Sequence, residues 1–348
     1  MAVIEKKRLL VRTPNWIGDA VLCTPALHAL KRLYPNSGIT VLAKSVVAPV
    51  FQNSPDVDDI MVYDDKGAHK GITGRVRLSG EIRSMRFDAA VLFQNAFDAA
   101  FLSFISRIPE RIGFARDLRS PLLTKAVAAT KEIKAAHQIY YYLHLIEAMG
   151  GAPSNNASPR PRLYVTRDER KWAKVYLKTC GLAGRSLVGV SPGASYGQSK
   201  RWLPERFAEV IAELVSRRGA AAIIFGGNED VETSLIVERA LPFQCVNCAG
   251  KLTLRQFMAM LTELDIFIAN DSGPMHLGAA LGAPTVGIFC STDPALTGPV
   301  GAHARAVINR VQCSPCFEKK CGFGHYDCLT SVSVDMVIEA ALPFLKER

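Results

Sequence analysis

Four turns of this 348-residue chain place polar and small residues directly after a short apolar run. In the last of them, Asn270-Asp271-Ser272-Gly273 follows the run 265–269 and precedes a small-residue helical pattern that contains His276. Ser272 or Gly273 can cap that helix, and Pro274 suits its first turn, where a missing N–H costs nothing. Since the N–H groups and the positive dipole end of a helix attract anions, this turn predicts a phosphate site.

A second turn, residues 191–202, is rich in small and hydroxyl residues and ends in the pair Lys200-Arg201. Backbone N–H groups and hydroxyls such as that of Ser195 can cradle phosphate oxygens, and Lys200 can supply a point charge. The alternative is an ordinary solvated loop. Trp202 is expected to be structural and to fix the entrance of the next helix. The turn has no GK[ST] signature and is therefore not a Walker loop.

The third turn is Gly226-Gly227-Asn228-Glu229-Asp230. Two glycines allow close approach of a ligand to the backbone, and an acidic residue in this position can bind a ribose diol. Capping of the following helix by Asn228 or Asp230 is an equally open interpretation. The chain contains no GxGxxG motif, which disfavours a standard dinucleotide site.

The earliest of the four turns, residues 13–19, carries Asp19 near the start of a predicted helix. A carboxylate there can act as a general base on an incoming hydroxyl. The alternative is that Asp19 only complements the positive end of the helix, a common role for aspartate.

Two further clusters carry functional groups. Residues 107–119 contain four arginines around a proline and a glycine, which we interpret as a loop that grips acidic sugars or phosphates, with a solvated surface as the alternative. Cys313-x2-Cys316-x4-Cys321-x6-Cys328, with His325 inside, has ligands for a structural zinc ion. Its outer spacings are tighter than in most zinc ribbons, so plain reduced thiols are the favoured interpretation.

The overall composition is that of a globular protein, with 49% hydrophobic and 21% charged residues. The net charge is +10, and the residues up to Val165 hold 22 Lys and Arg against 14 Asp and Glu. This basic half favours an anionic substrate or a membrane surface, and the absence of nucleic-acid motifs makes nucleic acid the least expected partner. With no apolar run of transmembrane length and no signal core, we expect a cytoplasmic protein whose nine cysteines are mostly reduced.

Short β-like runs alternate with helical patterns along the whole chain, which predicts doubly wound parallel sheets covered by helices on both faces. The segment 150–162 is dense in Gly, Pro, Ser and Asn and is interpreted as a linker between domains 1–155 and 156–348. A C-terminal helix at 335–347 is expected to pack back on the N-terminal domain. Helices are predicted, among others, at 18–33, 74–85, 97–106, 135–149, 204–217 and 273–281.

Four motifs occur in one order: PNWIGDAVL, RIPERIGF, SPGASYGQSKRWLPERFAEV and NDSGPMHLGAALGAPTVGIF. In this combination the chain resembles the ADP-heptose:lipopolysaccharide heptosyltransferases of glycosyltransferase family 9, and most of all the heptosyltransferase II group. The resemblance covers nearly the whole chain. It implies a GT-B fold, in which two Rossmann-like domains face a cleft and bind the lipid acceptor (N-terminal) and ADP-heptose (C-terminal).

The implied reaction is an inverting transfer of heptose to the lipopolysaccharide inner core, as the second heptose on heptosyl-Kdo2-lipid A. Asp19 matches the family's base and Lys200 the residue on the donor phosphates. The other donor contacts are expected at Ser195, Asp230 or its neighbour Glu229, Leu252 (adenine), Asp271, Ser272, Gly273 and His276. The acceptor contacts are expected at Asn15, Trp16, Arg107, Arg111, Arg116 and Arg119.

No cofactor is expected to be required if Lys200 and the helix start neutralise the diphosphate. We also expect a monomer, and the Lys and Arg content indicates peripheral contact with the cytoplasmic face of the inner membrane. Three alternatives stay open at this level: a heptosyltransferase for another acceptor step, a nucleotide-sugar epimerase or hydrolase of similar double-Rossmann build, and a non-catalytic module that binds a sugar nucleotide or a metal.

Overall fold

The computed structural model describes residues 7–152 and 158–345. The chain divides into two compact units between Tyr164 and Val165. The domain boundary expected at 155/156, together with part of the predicted linker, lies outside the described residues. No helix among the described residues is both long and apolar enough to cross a membrane.

The first unit contains a six-stranded sheet in which every neighbouring pair of strands is parallel. The spatial order is β3-β2-β1-β4-β5-β6. The central strand β1 buries four of its five residues, since helices cover both faces of such a sheet. The strands are β1 Arg8–Arg12, β2 Gly38–Lys44, β3 Asp59–Tyr63, β4 Ala89–Leu92, β5 Glu110–Phe114 and β6 Lys125–Val127.

The helices of the first unit are α1 Ile17–Leu22, α2 Thr24–Leu33, α3 Gly71–Ser84, α4 Phe97–Ile105, α5 Lys131–Ala135 and α6 Gln138–Ala148. The single helix predicted at 18–33 is therefore two helices that meet at Cys23. Pro25 has no N–H to donate to the carbonyl of Val21, and the Thr24 hydroxyl donates to that carbonyl at 2.8 Å instead. The helix predicted at 135–149 is found as α6, which begins three residues later, where the His137 ring accepts from the Ile139 N–H and caps the helix.

The arginine-rich segment 107–119 was expected to be a loop, and this expectation is wrong for residues 110–114. They form β5, which pairs with β4 on one side and β6 on the other. Ile112 and Phe114 are buried in the sheet, so their burial overrides the loop signals of the proline and glycine nearby.

The second unit repeats the architecture with a parallel sheet in the order β12-β11-β10-β7-β8-β9. Its strands are β7 Leu187–Ser191, β8 Ala221–Ile224, β9 Val246–Asn247, β10 Ile266–Asn270, β11 Thr285–Phe289 and β12 Ala304–Ile308. Its helices are α7 Arg167–Thr179, α8 Pro204–Arg218, α9 Val231–Ala240, α10 Leu254–Leu261, α11 Gly273–Ala280, α12 Pro294–Thr297, α13 Asp327–Thr330 and α14 Val334–Ala341. The prediction of two doubly wound parallel sheets is confirmed.

The core of the second unit includes the fully buried Trp202, whose indole N–H donates to the Val332 carbonyl at 3.1 Å. Trp202 is structural, as expected. The C-terminal helix α14 contributes Val337, Ile338 and Ala341 to the same core. These contacts lie within the second unit.

In each sheet the chain order reverses beside the first strand of the unit, between β1 and β4 and between β7 and β10. Ligands of doubly wound sheets bind beyond the carboxyl ends of the strands at such a reversal. The turns that follow these strands are the places where the fold can build a site.

Candidate functional site

In the second unit, an ion pair joins the turn after β7 to the turn after β10. Lys200 Nζ lies 2.6 Å from Asp271 Oδ2, and the Asp271 side chain is only 3% exposed. The Thr292 hydroxyl, which follows β11, donates to the same carboxylate oxygen at 2.6 Å. The carboxylate therefore holds the ammonium of Lys200 at the carboxyl edge of the sheet.

Asn270 fixes the same two turns through its side-chain amide. Its Oδ1 accepts from the Trp202 backbone N–H at 3.1 Å, and its Nδ2 donates to the Pro192 carbonyl at 2.7 Å. Because Asn270 is fully buried, these bonds are shielded from water and hold both ends of the 192–202 turn.

The middle of that turn rests on residues 317–319. The Tyr196 hydroxyl donates to the Phe317 carbonyl at 2.8 Å, and the Ser199 N–H donates to the Lys319 carbonyl at 3.2 Å. The ammonium groups of Lys200 and Lys319 lie 4.8 and 5.7 Å from the centre of the Tyr196 ring. Two cations are thus gathered beside one aromatic ring, and the predicted contact Ser195 is exposed in the same turn.

Helix α11 begins beside this ion pair. Ser272 is its N-cap residue, and its hydroxyl donates to the Asn270 carbonyl and does not cap the helix. His276 lies in the first turn and is 5% exposed, while Ser272 and Gly273 are half-buried. Together the helix start and Lys200 offer positive potential in one place, which is what a diphosphate requires.

Asp230 ends the turn that follows β8, and its carboxylate faces Gly193 in the turn that follows β7. Its Oδ2 accepts from the Gly227 N–H at 3.0 Å, and a Cβ added to Gly193 would lie 2.0 Å from its Oδ1. Glycine at 193 therefore leaves room for the carboxylate. The neighbouring Glu229 is exposed, and Leu252 is half-buried in the turn before α10.

In the first unit, Asp19 is half-buried in the first turn of α1. Burial and then the Asp19 charge raise the pKa of the Cys23 thiol, and the same two causes raise the pKa of the Tyr142 hydroxyl. The carboxylate of Asp19 thus acts electrostatically on a buried thiol and a buried phenol. Trp16, three residues earlier, is 56% exposed.

The predicted acceptor residues do not gather at one place. Asn15 and Trp16 follow the carboxyl end of β1, whereas Arg107 precedes β5 at the opposite, amino-terminal edge of the same parallel sheet. Arg111, in β5, donates to the carbonyls of Ile108 and Leu122. These two arginines border a separate cavity of about 470 Å³ at that edge.

Arg119 is fully buried, and its guanidinium donates to the Phe114 carbonyl, the Gln94 carbonyl and the Asn95 side chain. It therefore braces the turn after β4 and presents no group at the surface. Burial lowers the pKa of Arg119 to about 10. Arg116 stays partly exposed beside the hydroxyl of Tyr141.

The four cysteines between 313 and 328 are free thiols. Within residues 7–152 and 158–345, no group of three or more His, Cys, Asp or Glu side chains is arranged to hold a metal ion. Burial, followed by the charges of Cys316 and Cys313, raises the pKa of Cys328. The zinc alternative thus rests on the sequence spacing alone.

Several residues of these sites were missed by the sequence analysis. Thr292 and Asn270 stand at strand ends and have the types of hydrogen-bonding residues, which was the available signal. Arg12 ends the apolar strand β1, where a cation is unexpected, and this contrast is a comparable signal. Which of these side chains meet was not readable from the chain.

The Lys200–Asp271 pair gives the first testable prediction. Replacing Asp271 with Leu leaves the largely buried ammonium of Lys200 without its counter-charge, so the free energy of unfolding should fall by about 3 kcal/mol. The double variant Lys200→Met/Asp271→Leu should lose less stability than the losses of the two single variants added together. Urea unfolding, followed through the transition of the second unit, measures these differences in the free energy of unfolding.

The exposed pair Arg217–Glu213, whose atoms are 2.5 Å apart, is the matched control. Removing either of its members should change the stability by less than about 1 kcal/mol. Two outcomes would contradict the importance of burial for this contact. The stability losses of the Lys200 and Asp271 variants would be additive, or they would be no larger than the losses at the control pair.

Residues 75–327 match the model of glycosyltransferase family 9 (heptosyltransferase). The lipopolysaccharide heptosyltransferase 2 of Salmonella typhimurium strain LT2 is 28% identical over 306 residues, covering 86% of this chain and 87% of the relative.

Two solved structures have the same two-unit fold. The glycosyltransferase family 9 protein from Veillonella parvula is 28% identical, with a TM-score of 0.88 and coverage of 99% of both chains. The ADP-heptose lipopolysaccharide heptosyltransferase II of E. coli is 25% identical, with a TM-score of 0.82 over 97% of this chain and 98% of that one. The predicted GT-B fold and the resemblance drawn from the motifs are confirmed. The chain belongs to glycosyltransferase family 9, the heptosyltransferases.

Proposed function

We propose that this glycosyltransferase moves heptose from ADP-heptose to the lipopolysaccharide inner core with inversion, adding the second heptose to heptosyl-Kdo2-lipid A. Family membership and the relatives named heptosyltransferase 2 support the choice of reaction. The observation that carries the donor assignment is the Lys200–Asp271 pair beside the start of α11.

In this proposal the donor diphosphate binds at that start. Lys200 and the N–H groups of the first turn neutralise the charge that develops as ADP leaves, with contacts from Ser195, Ser272, Gly273 and His276. Asp271 acts on the ligand through Lys200, because its Oδ2 already accepts from the Lys200 ammonium and from the Thr292 hydroxyl. Asp230, with Glu229 beside it, binds the ribose, and the backbone near Leu252 meets the adenine.

Asp19 is the proposed general base. Its carboxylate takes the proton of the acceptor hydroxyl, and the hydroxyl oxygen then bonds to the anomeric carbon of heptose from the face opposite the diphosphate. The bond between that carbon and the phosphate oxygen breaks, and its electron pair leaves with ADP. The anomeric configuration is thereby inverted.

We further propose a monomer that requires no cofactor. The Lys200 ammonium and the start of α11 can stabilise the leaving diphosphate, because they supply the positive charge that a metal ion provides in other enzymes. Transfer should accordingly persist after chelation with EDTA. Elemental analysis of the purified protein separately tests the cysteine cluster for zinc.

The decisive experiment is incubation of the protein with ADP-heptose and Kdo2-lipid A, with and without the first heptose, followed by mass spectrometry. We expect one heptose to be added only to the acceptor that already carries one. Addition to the heptose-free acceptor would assign the first transfer step instead. Release of ADP and free sugar without an acceptor would favour a hydrolase, and no reaction with any substrate would refute the proposal.

The base assignment predicts that Asp19→Asn lowers kcat by roughly 10²–10⁴-fold, because the amide cannot take the proton of the acceptor hydroxyl. The Kd of ADP, measured by calorimetry, should stay within about twofold, since Asp19 belongs to the first unit and the donor turns to the second. Asp117→Asn, at an exposed position of the first unit, is the control and should leave kcat unchanged. Retained turnover in Asp19→Asn would remove this residue from the role.

The ribose contact predicts that Gly193→Ala weakens ADP binding about tenfold. The new Cβ would lie 2.0 Å from Asp230 Oδ1 and would displace the carboxylate. Gly227→Ala is the matched control, because its Cβ would lie 3.7 Å from the same carboxylate, at ordinary contact distance. Equal ADP affinities of the two variants in calorimetry would place the ribose elsewhere.

Contact with the inner membrane on its cytoplasmic face is part of the proposal, and one surface of the first unit supports it. Phe97, Phe101 and Phe104 lie along one face of α4 and are 48%, 39% and 47% exposed. Ile72 and Val76, one turn apart on α3, are also exposed. We call these five residues the α3/α4 face.

The two helices of this face are joined at both ends. Arg75 Nε lies 3.1 Å from Asp98 Oδ1, and Arg83 Nη2 donates to the Ile105 carbonyl at 2.7 Å. Residues 66–107 carry seven Lys and Arg against three Asp and Glu. Exposed aromatic groups with a basic surround fit the headgroup region of an anionic bilayer, so anionic lipid is the proposed partner.

The double variant Phe97→Ser/Phe104→Ser should lower binding to vesicles of phosphatidylethanolamine and phosphatidylglycerol by roughly tenfold, because two inserted rings are lost. Sedimentation with the vesicles measures it. Phe323→Ser is the control, since Phe323 is 76% exposed but belongs to the second unit. Equal binding of the two variants to the anionic vesicles would contradict the α3/α4 face as the docking surface. Equal binding of the native protein to anionic and to zwitterionic vesicles would contradict anionic lipid as the partner.

A further inference from the structure

A polar pocket of about 200 Å³ lies in the first unit, apart from the arginines expected to bind the acceptor. Its lining comes from the carboxyl ends of β1 and β2, from the turns after β3 and β4, and from the first turns of α3 and α4. This is the edge of the sheet where doubly wound folds bind ligands. Its charged groups are Arg12, Lys44, Asp65, Arg75, Asp98 and the ionisable His69.

Both carboxylates of the pocket already have a cation. Lys44 Nζ lies 2.5 Å from Asp65 Oδ2, and Arg75 Nε lies 3.1 Å from Asp98 Oδ1. His69 is also engaged, since its Nδ1 accepts from the Asp64 N–H and its Nε2 lies 3.2 Å from Glu81. One cation, Arg12, is therefore left over.

Arg12 is only 3% exposed, and it forms no ion pair with any of the described residues. Its Nη1 donates to the carbonyls of Thr13 and Leu42, and its Nη2 donates to Asn15 Oδ1 at 2.8 Å. Its Nε is buried and has no acceptor among the described residues. Three of the five N–H groups of a guanidinium are thus used, and no carboxylate of the described residues lies within ion-pair distance of Arg12.

Burial lowers the pKa of Arg12 to about 10, which reflects the cost of enclosing this charge. The nearby charge of Asp98, followed by Tyr63 and Asp65, raises this pKa but offsets the effect of burial only in part. The Tyr63 ring lies 5.4 Å from the guanidinium carbon. A buried cation that no carboxylate contacts is unfavourable, and an anion beside it would restore much of the lost solvation.

We propose that this pocket binds an oxyanion of the acceptor, a sugar carboxylate or a phosphate, with Arg12 as the fixed positive charge. Lys44 and Arg75, which are partly exposed, turn from their aspartates to the ligand. Arg119 supports the site from below, since it holds the Gln94 carbonyl in the turn that lines the pocket. Naming the acceptor as the source of the anion rests on the proposed function, whereas the anion site itself does not.

Binding of small anions tests the site without any turnover. Inorganic phosphate and the free sugar acid Kdo are titrated into the full-length protein by calorimetry. Lys44→Ala and Arg75→Ala should each raise the Kd of the bound anion about tenfold. The control Arg32→Ala removes the same charge from an exposed position on α2 outside the pocket and should leave the Kd unchanged.

Arg12→Lys keeps the charge and Arg12→Met removes it, so their comparison separates charge from bracing. The methionine variant should lose anion binding and the lysine variant should retain part of it, with circular dichroism confirming the fold of each. If Arg12→Met does not fold, Lys44→Ala and Arg75→Ala decide the question. Equal anion affinities in these two variants and the Arg32→Ala control would overturn the proposal.

Kinetics with the lipid acceptor test the source of the anion. Lys44→Ala and Arg75→Ala should raise the acceptor KM about tenfold, with kcat and the ADP-heptose KM nearly unchanged. Tighter binding of Kdo than of phosphate would assign a carboxylate, and the reverse a phosphate. If the native protein transfers no heptose, the proposed function fails while the anion titrations still stand. If transfer occurs and the acceptor KM does not respond, the acceptor assignment fails.

Discussion

The buried contact between Lys200 and Asp271 is the interaction on which the second unit's site depends. The carboxylate is almost fully enclosed and accepts from both Lys200 and Thr292, so turns after three neighbouring strands are held together by one side chain. Asn270, next to Asp271, clamps the backbone on either side of Lys200. A cation fixed in this way loses little entropy when an anion binds, which is the advantage of a preorganised electrostatic site. It also gives Asp271, an acidic group beside an anion site, a physical function.

The first unit uses its excess of basic residues in three different ways. Some arginines are structural: Arg119 is buried and satisfied by carbonyl and amide oxygens, and Arg111 donates to backbone carbonyls. Others lie on the surface around the aromatic residues of the α3/α4 face. Arg12 differs from both groups because it is buried, faces a pocket and has no carboxylate partner among the described residues. Net charge alone treats these arginines as equivalent, although burial and hydrogen-bond partners separate them.

The local rules of sequence reading worked where a segment has one period and clear ends. The helices predicted at 204–217 and 273–281 occur within one residue of those bounds as α8 and α11, because apolar positions and a proline in the first turn coincide there. The rules failed where one hydrogen bond or one buried pair of side chains decided the outcome. The helix expected at 18–33 breaks because Pro25 cannot donate and Thr24 takes the vacant carbonyl. Residues 110–114 form a strand because Ile112 and Phe114 find a place in the sheet.

The motifs indicate the family. The order of residue types along the chain predicts the alternation of strands and helices, and hence that functional turns follow strand ends. It identified Lys200, Asp271 and Asp230 as candidates, since those residue types stand at such turns. The folding of the two sheets sets which candidates meet. It joined Lys200 to Asp271, placed Asp230 against Gly193, and separated Arg107 from Asn15 to opposite edges of one sheet. This is because strand order and register bring together residues that are far apart in the chain, 71 positions for Lys200 and Asp271, and no local pattern encodes that pairing.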